Sequence, residues 1–151
     1  MYLLVFSDSH RSMTCMKQTV AAEHPDLVLH LGDHLQDAER LSELFPKQPI
    51  VAVPGNCDGW TTEPLVRELT LEGHKILMSH GHLWGVKSSY DAAIWKAMEA
   101  GADILLFGHT HTPYCAYREG IWVMNPGAAR SRYGSIRIED GEVHCALHQF
   151  P

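Results

Sequence analysis

A layered α/β domain, parallel in its first half and largely antiparallel in its second, is the fold class that the sequence predicts, and three observations predict it. Short apolar runs of buried-strand type alternate with amphipathic helical stretches as far as residue 53. Pairs of alternating segments joined at Glu72-Gly73, Glu119-Gly120 and Asp140-Gly141 mark hairpins in the remainder. With 151 residues, 45% of them hydrophobic, the chain is long enough for one real core and too short for two, so residues 1–151 read as a single domain.

From the N-terminus, YLLVF (2–6) is a continuous apolar strand, and Ser12 to His24 is a helix with Met13, Met16, Val20 and Ala21 on one face. DLVLHL (26–31) is a second strand, LQDAERLSELF (35–45) a helix stopped by Pro46, and PIVAV (49–53) a third strand. VRELTLEGHKILMSH holds two alternating strands. A helix then runs from about Ser88, read as its N-cap, to Ala100, with Gly101 as its stop. DILLF (103–107) is another buried strand, and CAYR, IWVM, SIRI and VHCAL form the late hairpins. Their apolar faces leave room for a homo-oligomer.

Composition narrows the function. The formal net charge of −6, from 12 Lys+Arg against 18 Asp+Glu without a basic run, predicts no stable nucleic-acid complex. An anionic substrate must therefore meet a local positive source. The N-terminus MYLLVFSDSH has no basic leader region and only a six-residue apolar run, which predicts neither a signal peptide nor a membrane span. Cysteines 15, 57, 115 and 145 form no C-x-x-C pair, and reduced thiols in a cytoplasmic protein are the expectation. The compositional oddity is 11 histidines.

The residues just beyond each strand are more specific. YLLVF leads into Asp8 and His10, LVLHL into Asp33, IVAV into Asn56, KILM into His80 and His82, and DILLF into His109 and His111. Five strands thus deliver O- or N-donors at their carboxyl ends, where open α/β sheets place their sites. One such residue is ordinarily a turn former or cap. Five coincident strand ends are poorly explained that way. Asp8 with His10, and His109 with His111, are i, i+2 pairs that share a side in extended backbone. Carboxylate, carboxamide and imidazole without thiolate suit Mn, Fe, Zn, Ni or Co. The donors outnumber the needs of one ion and suit two ions about 3.5–4 Å apart that share a bridging carboxylate. Gly32, Gly55 and Gly108 each precede a donor at a tight turn.

D-x-H, G-D, G-N, G-H and G-H-x-H in this order resemble the calcineurin-like metallophosphoesterase superfamily, and GNCD with SHGH resembles its small YfcE-like phosphodiesterase branch. The resemblance spans residues 1 to about 127. It implies a four-layer α/β/β/α sandwich with mixed sheets, the metallo-dependent phosphatase fold. It also implies that Asp8, His10 and His111 hold one metal, that Asn56, His80 and His109 hold the other, and that Asp33 bridges them. Two divalent transition-metal ions are expected, manganese first, with Ni, Fe, Co or Zn as alternatives. The implied reaction is hydrolysis of a small phosphodiester by in-line attack of a metal-bridging hydroxide.

One position departs from the pattern. Better-known phosphomonoesterases of the family carry a histidine after the asparagine, thought to protonate the leaving group, and here that residue is Cys57. A thiol, with a reference pKa near 8.5, is a poor acid in that role. The resemblance therefore implies diesters with good leaving groups, or recruitment of His82 or water as the acid. Read as structure alone, Cys57 is a small spacer in a tight turn. Asp58 reads either as an orienter of nearby ligands or as a simple cap. Arg11, Arg130 and Arg132 read as phosphate contacts or as solvated loop residues. His30 reads as packed in its strand, and His34 is ambiguous; Trp84 and Tyr90 read as substrate-stacking or core residues. Two other functions stand beside the diesterase: a phosphomonoesterase or nucleotidase, and a Vps29-like protein-interaction scaffold. Completeness of the donor set favours the enzyme.

Overall fold

The structure is a computed structural model that describes residues 1–150. Among the described residues are two five-stranded sheets. One has the order β10-β9-β1-β2-β3, built from β1 (Tyr2–Phe6), β2 (Leu27–His30), β3 (Ile50–Ala52), β9 (Arg132–Glu139) and β10 (Glu142–Gln149). The other has the order β4-β5-β6-β8-β7, built from β4 (Val66–Leu71), β5 (His74–Ser79), β6 (Ile104–Leu106), β7 (Tyr114–Arg118) and β8 (Ile121–Asn125).

Side-chain alternation shows why the apolar runs become central strands. Along β1, Leu3 and Val5 enter the layer between the sheets, while Leu4 and Phe6 face the helices outside, and all four are fully buried. A strand covered on both faces needs apolar residues at every position, hence a continuous run. Between the sheets, Leu29, Leu31 and Ile136 meet Ile76, Met78, Ile104 and Met124. The helices α1 (Thr14–Glu23) and α2 (Leu35–Leu44) cover the first sheet through Cys15, Met16, Val20 and Leu41. Helix α3 (Asp91–Glu99) covers the second through Ala93, Ile94 and Ala97. These are the four layers α/β/β/α.

Several expectations need correction. The second half is largely antiparallel as expected, through β4–β5, β7–β8, β9–β10 and β1–β9, but β5, β6 and β8 run parallel at the centre of their sheet, with β4 and β7 as its antiparallel edges. The right order is hidden from the sequence because β7 is inserted between β6 and β8 yet pairs outside them. On α1 the buried face runs through Cys15, Met16, Thr19 and Val20, and Ala21 is exposed. Helix α3 starts at Asp91, and Ser89 rather than Ser88 supplies the side chain at its start, its Oγ accepting the Asp91 N–H at 3.1 Å. Gly101 does end it, in a Schellman motif: its N–H reaches Met98 O at 3.1 Å and Ala102 N–H reaches Ala97 O at 2.9 Å. The apolar residues of β10 (Val143, Cys145, Leu147) pack onto the inter-sheet core, so the large exposed apolar side chains are mainly elsewhere, Trp60 at 92% exposure above all.

The three predicted hairpin turns are present, with positive φ at both central residues: Glu72 and Gly73, Glu119 and Gly120, Asp140 and Gly141. No helix is long and apolar enough to cross a membrane.

Candidate metal centre

The parallel strands β1, β2, β5 and β6 end on one rim, and the loops beyond them carry an unusual backbone. Among the described residues, eleven non-glycine residues have positive φ, and seven of these are Asp8, His10, Arg11, Asp33, His34, His109 and His111. Left-handed backbone costs an L-residue of order 1 kcal/mol or more and persists where the surroundings require it. The Asp8/His10 and His109/His111 pairs are therefore not in the extended backbone that the sequence suggests.

Six of the predicted side chains converge in two groups. Asp8, His10 and His111 form one, and Asp33, His80 and His109 the other; in each, one donor atom per residue lies within 4.8 Å of the others. The groups adjoin. His111 Nε2 is 3.2 Å from Asp8 Oδ1, and His80 Nε2 is 3.3 Å from Asp33 Oδ2 and 3.7 Å from Asp8 Oδ1. Asp33 Oδ2 also lies 3.9 Å from His10 Nε2, which places this carboxylate between the groups. His80 is fully buried and Asp8 and Asp33 nearly so, whereas His10 and His111 are exposed. The centre is thus closed on the core side and open to solvent on the other.

Supporting hydrogen bonds fix which atoms remain free. Asp8 Oδ2 accepts from Ser7 Oγ at 2.6 Å and from the His109 N–H at 3.0 Å. Its Oδ1 is buried without a hydrogen-bond partner and faces the histidines. His80 Nδ1 donates to Leu31 O at 2.8 Å, which fixes the ring with Nε2 facing the carboxylates. Asp33 Oδ1 accepts the Cys57 N–H at 2.9 Å. A Cβ on Gly55 would overlap that same oxygen, and one on Gly108 would overlap Ser7 Oγ, so both loops need glycine to close around the carboxylates. An orphaned buried carboxylate oxygen facing the imidazoles of His111 and the oriented His80 fits a divalent transition-metal ion.

Electrostatics point the same way. Burial pushes the Asp33 carboxyl up, but hydrogen bonds from His80 and the Cys57 N–H outweigh it and hold the group well below the usual carboxylate range. Burial also opposes charge on His80, yet Asp33 and Asp8 raise its pKa above the ordinary imidazole value. The pocket therefore favours positive charge at its centre. His109 and His82 are both lowered, first by burial and then by neighbouring His80.

Other predicted residues stand further out. Asn56 is exposed at the rim, its carboxamide reaching only Cys57 Sγ at 3.7 Å. Cys57 is exposed, and the Asp33 carboxylate pushes its thiol up. His82 opens the 3-10 turn His82–Trp84, with its ring centroid 5.6 Å from that of His80. His30 is packed as expected, bonded to Ser9 Oγ at 2.9 Å and to the Gly32 N–H at 3.1 Å. Tyr90 packs on Phe107 and Tyr114 and belongs to the core.

Sequence reasoning undervalued Asp58. Its carboxylate accepts four backbone N–H groups, from Asp33 (3.0 Å), His34 (3.3 Å), Leu35 (2.7 Å) and Gly55 (2.8 Å). It caps α2, which has no side-chain cap of its own, and ties the Asp33 and Asn56 loops together. An aspartate so close to a predicted ligand loop was the available signal.

The fold and this donor set define the class of the metallophosphoesterases. Within that class the chain belongs to the calcineurin-like phosphoesterase superfamily, whose domain model matches residues 1–146. It is 37% identical over 136 residues to the probable metallophosphoesterase YsnB of Bacillus subtilis, covering 86% of this chain and 76% of that protein. It is 33% identical over 99 residues to the phosphodiesterase YfcE of Escherichia coli, covering 60% of this chain and 49% of YfcE. Among solved structures, a conserved protein of Streptococcus pneumoniae described as a predicted phosphoesterase superposes with a TM-score of 0.82 at 27% identity, over 99% of this chain and 92% of that one. Vps29 of Entamoeba histolytica, solved in complex with zinc, superposes with a TM-score of 0.79 at 20% identity over the full length of both chains, a likeness of fold alone.

Proposed function

We propose that this chain is a cytoplasmic, single-domain, binuclear metal-dependent phosphodiesterase that hydrolyses small phosphodiesters. The observation that carries this reading is the pair of adjoining carboxylate–imidazole groups, with Asp33 within 4 Å of a histidine from each. In it, Asp8, His10 and His111 would hold one ion, His80 and His109 the other, and Asp33 would be shared between them. Asn56, on the exposed loop between Gly55 and Cys57, would complete the second group. When bound, divalent ions lower the pKa of water and neutralise phosphoryl oxygens. Manganese is the first candidate, and Ni, Fe, Co and Zn suit the same donors.

The chain's own residues favour diesters with good leaving groups. At neutral pH a raised Cys57 thiol stays protonated, but it is far weaker as an acid than an imidazolium. His82, the other candidate acid, is lowered and so carries little of the protonated form. A leaving group that departs without a proton escapes both deficits. The exposed flank at His10 and His111 suits small, soluble esters rather than a deep, selective pocket.

Metal content tests the reading independently of turnover. The native chain reconstituted with Mn is expected to hold two ions per chain, and Asp8→Asn and His80→Gln fewer than two. One ion in the native chain, with no loss in either variant, would contradict it.

A further inference from the structure

Beyond the metal ligands, the chain has a local cation whose placement is costly. Arg11 and His34 both occupy left-handed backbone, with φ of 72° and 94°, where glycine would sit freely. They come directly after His10 and Asp33, and those two ligands approach each other to 3.9 Å. The arginine is held by two grips. Its backbone N–H donates to Asp37 Oδ2 at 2.7 Å, and its Nε–H donates to His34 Nε2 at 3.4 Å. The second bond requires an unprotonated Nε2, which puts the His34 proton on Nδ1. His34 Nδ1 lies 3.2 Å from Asp37 Oδ1, close but outside hydrogen-bond geometry, and both buried atoms are otherwise without a hydrogen-bond partner. Asp37 itself is fully buried in the first turn of α2.

This chain of Asp37, imidazole and guanidinium spends only the Nε–H of Arg11. Its terminal nitrogens have no protein partner among the described residues, and, unlike the guanidinium groups of Arg40, Arg130 and Arg132, which have no hydrogen bond among those residues, it is held through Nε. An imidazole that accepts the Nε–H orients the fork while leaving its terminal N–H groups free. A planar fork of free N–H donors matches two oxygens of a phosphoryl group.

We infer that Arg11 binds the phosphoryl oxygens of the ester beside the metal centre, and that His34 and Asp37 are the positioning residues that aim it. The inference rests on the phosphoesterase reading for its substrate, but its ligand chemistry is any tetrahedral phosphate oxyanion.

The probe is inorganic phosphate, titrated calorimetrically into the Mn-reconstituted full chain. Arg11→Gln is expected to weaken phosphate about 10- to 100-fold, the range of a charge-assisted hydrogen bond, with metal content unchanged. Arg11→Lys should recover only part of the loss, because a point charge replaces the fork. Arg11→Gly should bind phosphate as weakly as Arg11→Gln yet melt no lower than the native chain, since it relieves the left-handed strain. His34→Phe should weaken phosphate in the native background and add nothing in the Arg11→Gln background. Native phosphate affinity in Arg11→Gln would overturn the assignment, and additive loss in the double variant would overturn the positioning role of His34. If the native chain hydrolysed no ester while phosphate binding still depended on Arg11, the hydrolase reading would fail and this inference would stand.

Discussion

Replacing Asp58 by alanine removes one carboxylate that four backbone N–H groups share, three of them at 3.0 Å or less. Loss of a helix cap alone costs about 0.5–2 kcal/mol. The two contacts outside α2, to Asp33 and Gly55, add about 1 kcal/mol each, and the half-exposed site lets water recover part of the whole. The net expectation is a loss of about 3 kcal/mol, or roughly 6–12 °C in melting temperature for a chain of this size. Because the same carboxylate fixes the loops that carry Asp33 and Asn56, metal affinity should fall about 10- to 100-fold. Asp58→Asn keeps one acceptor and should lie between the native chain and Asp58→Ala. Chemical denaturation of metal-free protein and competitive metal titration read the two effects separately. A loss below about 1 kcal/mol in Asp58→Ala, with native metal affinity, would refute the reasoning.

Other single residues yield equally direct outcomes. Cys57→His should raise turnover of poor-leaving-group esters roughly 100-fold or more, as a restored general acid does, while Cys57→Ala leaves an activated diester within about threefold; steady-state kinetics on both ester types would show the split. Burial lowers the His30 pKa from its ordinary value to about 4, so the stability it contributes is complete above pH 6.5 and is lost as pH falls to about 4. That loss is roughly 3 kcal/mol, measurable by urea denaturation across the window, and His30→Asn, which keeps an acceptor for the Gly32 N–H, should flatten it. Gly55→Ala places a methyl group on Asp33 Oδ1 and should cost about 1–3 kcal/mol in stability together with metal affinity; equal melting curves and equal metal titrations would contradict it.

The sequence makes the strand ends legible because two local signals coincide there. Continuous apolar runs identify strands buried on both faces, and donors just beyond five such runs identify one rim. The six converging side chains are therefore readable from the chain alone. The features that escape it depend on contacts distant in sequence. Asp58 caps a helix that starts 23 residues earlier, and no local pattern distinguishes that bond from an ordinary turn. The parallel centre of the second sheet is invisible because β7 leaves and returns outside β8. The Arg11–His34–Asp37 chain needs positive φ at two non-glycine residues, which residue identity argues against rather than for.

The most direct measurement is hydrolysis of an activated phosphodiester and its matching monoester by metal-stripped protein re-supplied in turn with Mn, Ni, Co, Zn and Mg. A binuclear phosphodiesterase should turn over the diester faster than the monoester, only with added transition metal, and Asp33→Ala should abolish the activity. Failure to hydrolyse either ester with any of the metals would contradict the account.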